Sequence, residues 1–237
     1  MSTAIVLNIP HSSINGIFDR HYGKWGNNPH FINECIRKHT DWFTDMLFSS
    51  DRENVSSVVF NYSRFVCDVE RLDSDPLEKI GQGIIYTEFN GYKRGELSEI
   101  EKKYLYKLRD EHYQLLEEKL KSSEKAILVD CHSFNKELSI DTDICLGFNN
   151  DFSYDERLVD LVKDIFEKGG YSVKLNYPYS NSLTPISNAE ANYKSIMIEV
   201  SKKVYMDEET LMLNPNDRQW MRWYGCLDEI YSALSEF

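Results

Sequence analysis

Two histidines stand where apolar segments of the sequence end, and each is followed directly by a serine. His11 follows the apolar run in "IVLNIPHSS", and His132 follows the run in "AILVDCHS". Imidazole is a common zinc ligand, and a catalytic zinc ion typically takes three protein ligands and leaves one position for water. The pair therefore indicates a metal site, although either histidine alone would more often be a structural or solvent-facing residue.

A third ligand has to come from elsewhere, because the residue three positions after His11 is Ile14 and the HxxE spacing of carboxypeptidase-like sites is absent. Asp41, in "HTDW", is the best substitute on a predicted helix, and its alternative role is that of an exposed helix carboxylate. Asp130 precedes His132 by two residues in a predicted strand, so both side chains point to the same face. Asp130 could orient the metal ligand as a hydrogen-bond acceptor or cap a turn.

Charged residues near other strand ends complete the candidate chemistry. Glu199 interrupts the apolar segment "IMIEV", and a buried carboxylate is costly unless it is paired or functional. It could be a general base that activates water, or one half of a buried Glu–Arg pair. Arg64 and Arg71 flank "FVCDVE", and an arginine fork matches a carboxylate in a two-point contact. Asp68, between them, could hold either arginine in place.

The elements that must position these residues alternate between strand and helix. Apolar runs rich in β-branched and aromatic residues predict strands at residues 4–10, 55–63, 126–132, 143–148, 172–178 and 195–201. Helical periodicity predicts helices at residues 31–50, 97–121, 153–168 and 217–237. The alternation favours an α/β fold around a largely parallel sheet, in which chemistry collects beyond the carboxyl ends of the strands.

Composition and length narrow the function classes. The chain has 237 residues and no repeat, low-complexity tract or linker, so we expect one domain over residues 1–237. A formal net charge of −12 argues against binding to nucleic acid or to anionic membranes, both of which need a basic face. A local arginine pocket in an acidic protein still suits an anionic substrate.

The N-terminus and the cysteines indicate the compartment. The short apolar run near the N-terminus has no basic region before it, and no segment approaches the ~18 apolar residues of a membrane helix. The five cysteines are scattered and include no CxxC pair, so we expect reduced core residues in a cytoplasmic protein. Nothing in the sequence indicates an oligomeric state.

The motifs resemble those of the N-formylglutamate amidohydrolase family, over most of the chain and in the family's order. "LNIPHSS" is similar to its opening motif, "HTDW" to its Asp-Trp element, and "SRFVCDVER" to its Ser-Arg-Phe-Val-x-Asp-Leu-Asn-Arg segment. "LVDCHS" is similar to its Asp-x-His-Ser motif, "ICLGF" and "LNYPY" follow, and "IMIEVSKKVYM" is similar to its glutamate-containing strand. Six pieces in register are much more specific than any one of them.

This resemblance implies a three-layer α/β/α domain with a mixed, mostly parallel sheet, similar to the zinc carboxypeptidase or phosphorylase/hydrolase-like fold. It also implies one zinc ion per chain, held by His11, Asp41 and His132. Glu199 would deprotonate the attacking water and later protonate the leaving amine.

The same resemblance suggests the substrate contacts. Arg64 and Arg71 would hold a substrate carboxylate or polarise the scissile carbonyl. Asn176 and Tyr179, in "LNYPYSNSLTP", could line a pocket or belong to a rigid surface loop. The further residues assigned to substrate binding are Asp68, Ser12 and Ser133.

The resulting prediction is a zinc-dependent hydrolase that cleaves the amide bond of a small acidic N-acyl amino acid. Two departures from the family pattern concern specificity: the asparagine beside the second arginine is Glu70, and the Gly-Gly pair expected after "NYPY" is replaced by "SNSLTP". A glycine loop lets the backbone approach a substrate closely. A carboxypeptidase or amidase acting on peptides or cell-wall fragments is an alternative, as is a non-catalytic binding protein on the same fold.

Overall fold

The computed structural model describes residues 2–26, 28, 30–185 and 192–237, without the side chains of residues 32 and 33. The chain divides into two compact units, each assembled from separate segments. One, which we call the sheet unit, comprises residues Met1–Ile9, Phe43–Val58 and Leu116–Phe237. The other, which we call the aromatic unit, comprises residues Pro10–Trp42 and Val59–Leu115. The expected single domain over residues 1–237 stays a prediction.

The sheet unit is built on a six-stranded sheet with the order β2-β1-β5-β8-β6-β7. These strands are β1 (Ala4–Ile9), β2 (Val55–Val59), β5 (Ala126–Phe134), β6 (Ile144–Gly147), β7 (Val173–Leu175) and β8 (Tyr193–Ser201). Parallel pairing joins β1 to β5, β5 to β8 and β6 to β7, whereas β6 runs antiparallel to β8. The prediction of an α/β fold with a mixed, mostly parallel sheet is confirmed.

The two central strands carry the polar residues of interest. Every residue of β5 is buried, and so is nearly every residue of β8. Both strands lie inside the sheet, with a neighbour on either side. The apolar and β-branched residues that dominate both strands suit this environment. The strand predicted at 172–178 is shorter, because Asn176 adopts a left-handed backbone conformation (φ +50°) that ends the extended run.

The described part of the chain also contains two short hairpins, five α-helices and 3₁₀ helices at Pro76–Ile80, Lys136–Leu138 and Lys202–Val204. The hairpins pair β3 (Glu88–Phe89) with β4 (Tyr92–Lys93) and β9 (Met206–Asp207) with β10 (Met212–Leu213). The α-helices are α1 (Arg37–His39), α2 (Thr44–Leu47), α3 (Glu99–Lys121), α4 (Glu156–Lys168) and α5 (Asp217–Ser235). The three long helices lie where periodicity predicts them. Among the helices that the structure describes, none has the length and apolar character needed to cross a bilayer.

The single helix predicted at residues 31–50 is wrong, because the segment is broken in the middle. A π-helical turn at Phe31–Ile36 leads into α1, and α2 begins only at Thr44. Between them Thr40 is extended and Phe43 adopts a left-handed conformation (φ +65°), so no helix can continue through these residues. Asp41 therefore lies in the break and not on a helix, and its backbone N–H donates to the carbonyl oxygen of His11 at 2.9 Å.

The core of the sheet unit includes aromatic contacts between its helices. Trp223 of α5 stacks on Phe166 of α4, with ring centroids 5.7 Å apart, and meets Phe48 edge-on. Its indole N–H donates to the carbonyl of Leu47 at 2.9 Å. All five cysteines of the chain are buried, and none of them forms a disulfide bond.

The aromatic unit takes its name from a core of stacked and edge-on rings. Trp25 stacks on Phe31 with centroids 4.6 Å apart, and Phe65 meets both rings edge-on. Buried Arg94 donates to backbone carbonyls around this core, including those of Gly23 and Val66. With few strands to satisfy their backbone groups, the loops of this unit are held by such rings and side-chain donors.

Candidate active site

Asp68 is the centre of a charged cluster in the aromatic unit. Its carboxylate is fully buried, and it accepts hydrogen bonds from the Tyr86 hydroxyl at 2.6 Å and from Arg64 Nη2 at 2.9 Å. Arg71 Nε lies 3.5 Å from the same oxygen. The other carboxylate oxygen, Oδ1, is 2.9 Å from His11 Nε2. With these partners Asp68 positions the groups around it.

Electrostatics keep Asp68 and Arg64 ionised despite their burial. Burial acts to raise the pKa of Asp68, but Arg64, His11 and Arg71 outweigh it, so its pKa lies well below the ordinary value. Burial acts to lower the pKa of Arg64, and Asp68 outweighs that effect and raises it. Burial raises the pKa of Tyr86 to about 12, so its hydroxyl stays protonated and donates to Asp68.

The second ring nitrogen of His11 faces two further carboxylates. Nδ1 lies 3.6 Å from Glu70 Oε2 and 3.8 Å from Asp41 Oδ2. Two ligand atoms bound at ~2.1 Å to a tetrahedral ion are about 3.4 Å apart, so these separations suit atoms that share a metal ion. Asp68, on Nε2, would be the carboxylate that fixes the orientation of a ligating imidazole.

The sheet unit contains a second histidine–aspartate pair, on β5. His132 Nε2 lies 3.2 Å from Asp130 Oδ1, and both side chains are buried. Asp130 also accepts from the Asn8 amide at 2.8 Å and from the backbone N–H of Leu183 at 2.9 Å. Burial acts to raise the pKa of Asp130, but His132 and these donors lower it to about 2.

Glu199 lies beside this pair in the sheet. Residue pairing between the parallel strands β5 and β8 sets His132 directly opposite Glu199. Residues opposite each other in a sheet project to the same face, so an imidazole and a carboxylate are neighbours there. Both are buried, and on its other side Glu199 is opposite Cys145 of β6.

The other residues predicted to contact substrate lie outside the two histidine–aspartate clusters. Ser133 is buried and follows His132, so it projects to the opposite face of the sheet. The side-chain oxygen of Asn176 accepts from the backbone N–H of Phe148 at 3.0 Å, which fixes the loop. Tyr179 is partly exposed in that loop, and Ser12 is half-buried after His11. Their roles in substrate binding, like those of Asp68 and Arg71, stay predictions.

Two residues of these clusters were missed by sequence reasoning. Asn8 is an amide within the apolar run "AIVLNI", and the rule that singled out Glu199 applies equally to it. Tyr86 carries no comparable signal, because a tyrosine after "GII" is ordinary in a hydrophobic core. Only its contact with Asp68 reveals its role.

A model of the N-formylglutamate amidohydrolase family matches residues 3–206. The chain belongs to this family. The resemblance seen in the motifs is therefore confirmed, and the matched range contains every residue of both clusters. Among curated proteins, no match is found.

Solved structures show the same fold. The N-formylglutamate amidohydrolase from Ralstonia eutropha JMP134 superposes with a TM-score of 0.72 at 16% identity, over 99% of this chain and 92% of that one. The gene product Atu2144 from Agrobacterium tumefaciens superposes with a TM-score of 0.68 at 19% identity, over 99% and 91%. At such identities the likeness shows the family fold alone.

Proposed function

We propose that this member of the N-formylglutamate amidohydrolase family is a zinc-dependent hydrolase that cleaves the amide bond of a small acidic N-acyl amino acid. The observation that carries the proposal is that each of two histidines has one ring nitrogen against a buried aspartate. Nε2 of His11 contacts Asp68 at 2.9 Å, and Nε2 of His132 contacts Asp130 at 3.2 Å. A carboxylate behind an imidazole fixes its tautomer and raises its basicity, as in histidines that bind metals.

The zinc ligands in this proposal are His11 and His132, each through Nδ1, together with the carboxylate of Asp41. Two imidazoles and one carboxylate form a donor set that zinc accepts, and they leave a position open for catalysis. The chemistry that zinc supplies when bound is a water pKa lowered to about 7 and a stabilised oxyanion. His132 and Asp41 are assigned as ligands from the family motifs. Nδ1 is assigned as the ligating atom because Nε2 of each histidine already contacts an aspartate.

Glu199 acts in this proposal as the general base and acid. It takes a proton from the attacking water and delivers that proton to the nitrogen of the leaving amine. Its place opposite His132 in the sheet sets it next to a proposed ligand.

The two arginines recognise the anionic part of the substrate. Arg64 and Arg71 both contact Asp68, and their side chains remain 19% and 22% exposed. A guanidinium has five N–H donors, so groups not bound to Asp68 can bind a substrate carboxylate. We expect the enzyme to be cytoplasmic, since none of its five buried cysteines forms a disulfide bond.

The test combines metal analysis with a substrate panel. We expect about one zinc ion per wild-type chain, none in His132→Ala, and hydrolysis of N-formyl-L-glutamate or a related N-acyl amino acid. Glu199→Gln should keep its zinc and lose about 10²–10⁴-fold in kcat, the range for a lost general acid–base group. Glu229→Gln, which removes the same charge from an exposed position of α5, is the matched control and should match the wild type.

Each alternative gives a distinct result in this panel. Failure of the wild type to take up zinc on titration would contradict the proposal as a whole. A binding protein would bind zinc and turn over none of the compounds. Its affinity for the ligand would also be the same in Glu199→Gln as in the wild type. Faster cleavage of dipeptides than of N-acyl amino acids would indicate a peptidase.

A further inference from the structure

Glu70 stands where the family motif has asparagine, and its side chain points at a proposed metal ligand. Its Oε2 lies 3.6 Å from His11 Nδ1, slightly closer than Asp41 Oδ2 at 3.8 Å. We propose that Glu70 is a second carboxylate ligand of the bound ion, on the Nδ1 side of His11. The inference rests on the proposed function, because it requires a metal ion at this place.

The backbone of Glu70 is anchored by the same atom that holds the imidazole. Asp68 Oδ1 accepts from the Glu70 backbone N–H at 3.2 Å and lies 2.9 Å from His11 Nε2. One buried oxygen thus fixes both the ring and the start of the Glu70 side chain. A donor set held by such outer contacts needs little rearrangement to bind an ion.

The separation between the two side chains suits an ion better than a direct contact. A hydrogen bond from a ring nitrogen to a carboxylate is about 2.7–3.2 Å long, so 3.6 Å is too long for one. It is close to the distance of about 3.4 Å between two atoms that bind one tetrahedral ion. An asparagine at this position would have a shorter side chain and a neutral oxygen.

The added charge also changes the balance of the cluster. The cluster has three carboxylates (Asp41, Asp68 and Glu70) and two arginines, which leaves one excess negative charge. With asparagine at position 70, the positive and negative charges would be equal in number. The net negative charge favours a divalent cation. A second carboxylate ligand also widens the range of ions, since carboxylate oxygen suits harder ions such as Mn²⁺.

The experiment measures the affinity of the full-length chain for zinc, separately from catalysis. Metal-free wild type, Glu70→Gln and Glu70→Asn would be titrated with zinc against a chromophoric chelator. We expect the zinc dissociation constant of both variants to rise about tenfold or more. Loss of a residue that only hydrogen-bonds to a metal ligand already weakens metal binding by about that factor, and loss of a ligand should weaken it at least as much. Glu111→Gln is the matched control, because Glu111 is an exposed carboxylate of the same unit that pairs with Lys107. Its dissociation constant should equal that of the wild type.

A second readout reports the ligands themselves. Cobalt(II) replaces zinc, and its visible absorption depends on the number and type of its ligands. The spectrum of Glu70→Gln should differ from that of the wild type, and the spectrum of Glu111→Gln should not. Glu70→Asn, which carries the residue of the family motif, keeps the test valid if the glutamine variant does not fold.

The two proposals fail in different ways. Unchanged zinc affinity and an unchanged cobalt spectrum in both Glu70 variants would overturn the assignment of Glu70 and leave the zinc hydrolase intact. A wild type that binds neither metal would overturn both. A weaker affinity shared by Glu111→Gln would show a general effect of charge and would also overturn direct ligation.

Discussion

Asp68 and Asp130 are both buried and ionised, and different neighbours stabilise their charges. Each is a buried carboxylate that contacts Nε2 of a histidine, and each stays ionised despite the cost of burial. Two arginines compensate the charge of Asp68, whereas Asp130 relies on an amide, a backbone N–H and its histidine. A buried carboxylate that is fully paired in this way holds its neighbours in one geometry.

The loop that departs from the family pattern contributes to this geometry. "SNSLTP" supplies the Leu183 backbone N–H that donates to Asp130 Oδ2 at 2.9 Å. The hydroxyl of Ser182, in the same loop, is hydrogen-bonded to that of Ser195 on β8. The loop therefore has a structural role behind His132, whatever substrate the protein takes.

The lowered pKa of Asp130 predicts a loss of stability in acid. Its pKa is about 2 in the folded protein and 3.8 in its ordinary state, so its ionised form stabilises the fold above about pH 4. That contribution disappears as the pH falls from about 4 towards 2. In the metal-free protein, Asp130→Asn should therefore be clearly destabilised at pH 7, and the gap to the wild type should narrow below about pH 4.

Urea unfolding at several pH values, followed by tryptophan fluorescence, measures this gap. Asp160→Asn, at an exposed position of α4, is the control and should stay close to the wild type throughout. A gap for Asp130→Asn that stays constant from pH 7 to pH 3 would show that the ionisation of Asp130 does not stabilise the fold.

At the scale of elements, the break between α1 and α2 changes the role of one residue. Periodicity places Asp41 on a continuous helix, but the extended Thr40 and the left-handed Phe43 interrupt it. The N–H of Asp41 is then used by the His11 carbonyl. A residue in such a break can turn its side chain towards the histidine, as Asp41 does.

The long terminal helix α5 depends on its N-cap. The side chain of Asn216 accepts from the backbone N–H of Arg218 at 3.1 Å and so satisfies a donor that the helix leaves open. Asn216→Ala should lower the free energy of unfolding by about 1 kcal/mol. Asn216→Asp, which keeps a capping oxygen, should cost at most a few tenths of that. Equal losses in urea titrations of the two variants would show that the cap contributes little.

At the scale of the molecule, strand order determines which apolar residues matter most. Ile198 lies on β8, with strands on both sides, and is fully buried. Leu175 lies on β7 at the edge of the sheet and is 41% exposed. Both are aliphatic residues of strands, so the sequence alone would rank them alike.

Truncation of these two side chains should therefore have unequal effects. Ile198→Ala should cost about 2–5 kcal/mol of unfolding free energy, because it leaves a cavity in a packed core. Leu175→Ala should cost less than about 1 kcal/mol, since much of its surface is already in water. Chemical denaturation of both variants measures the difference, and similar losses would contradict the central place of β8.

The sequence by itself determined the strands of the six-stranded sheet, the long helices and the family, and it indicated most of the candidate site residues. Apolar periodicity is local and records which face of an element is buried, so β1, β5, β8 and the long helices could be predicted. The histidines, Glu199 and the paired arginines could be singled out as candidates because polar groups at the ends or in the middle of buried strands are costly unless they are used.

Only the tertiary structure decided which of these residues meet. Asp68 lies 57 residues from His11, and Leu183 lies 53 residues from Asp130. The order that sets β8 beside β5 makes Glu199 the neighbour of His132, and the turn after Asp68 aims Glu70 at His11. Such contacts depend on pairing between segments that are far apart in the sequence. Local periodicity cannot predict this pairing, because a residue has the same neighbours along the chain whichever distant strand it packs against.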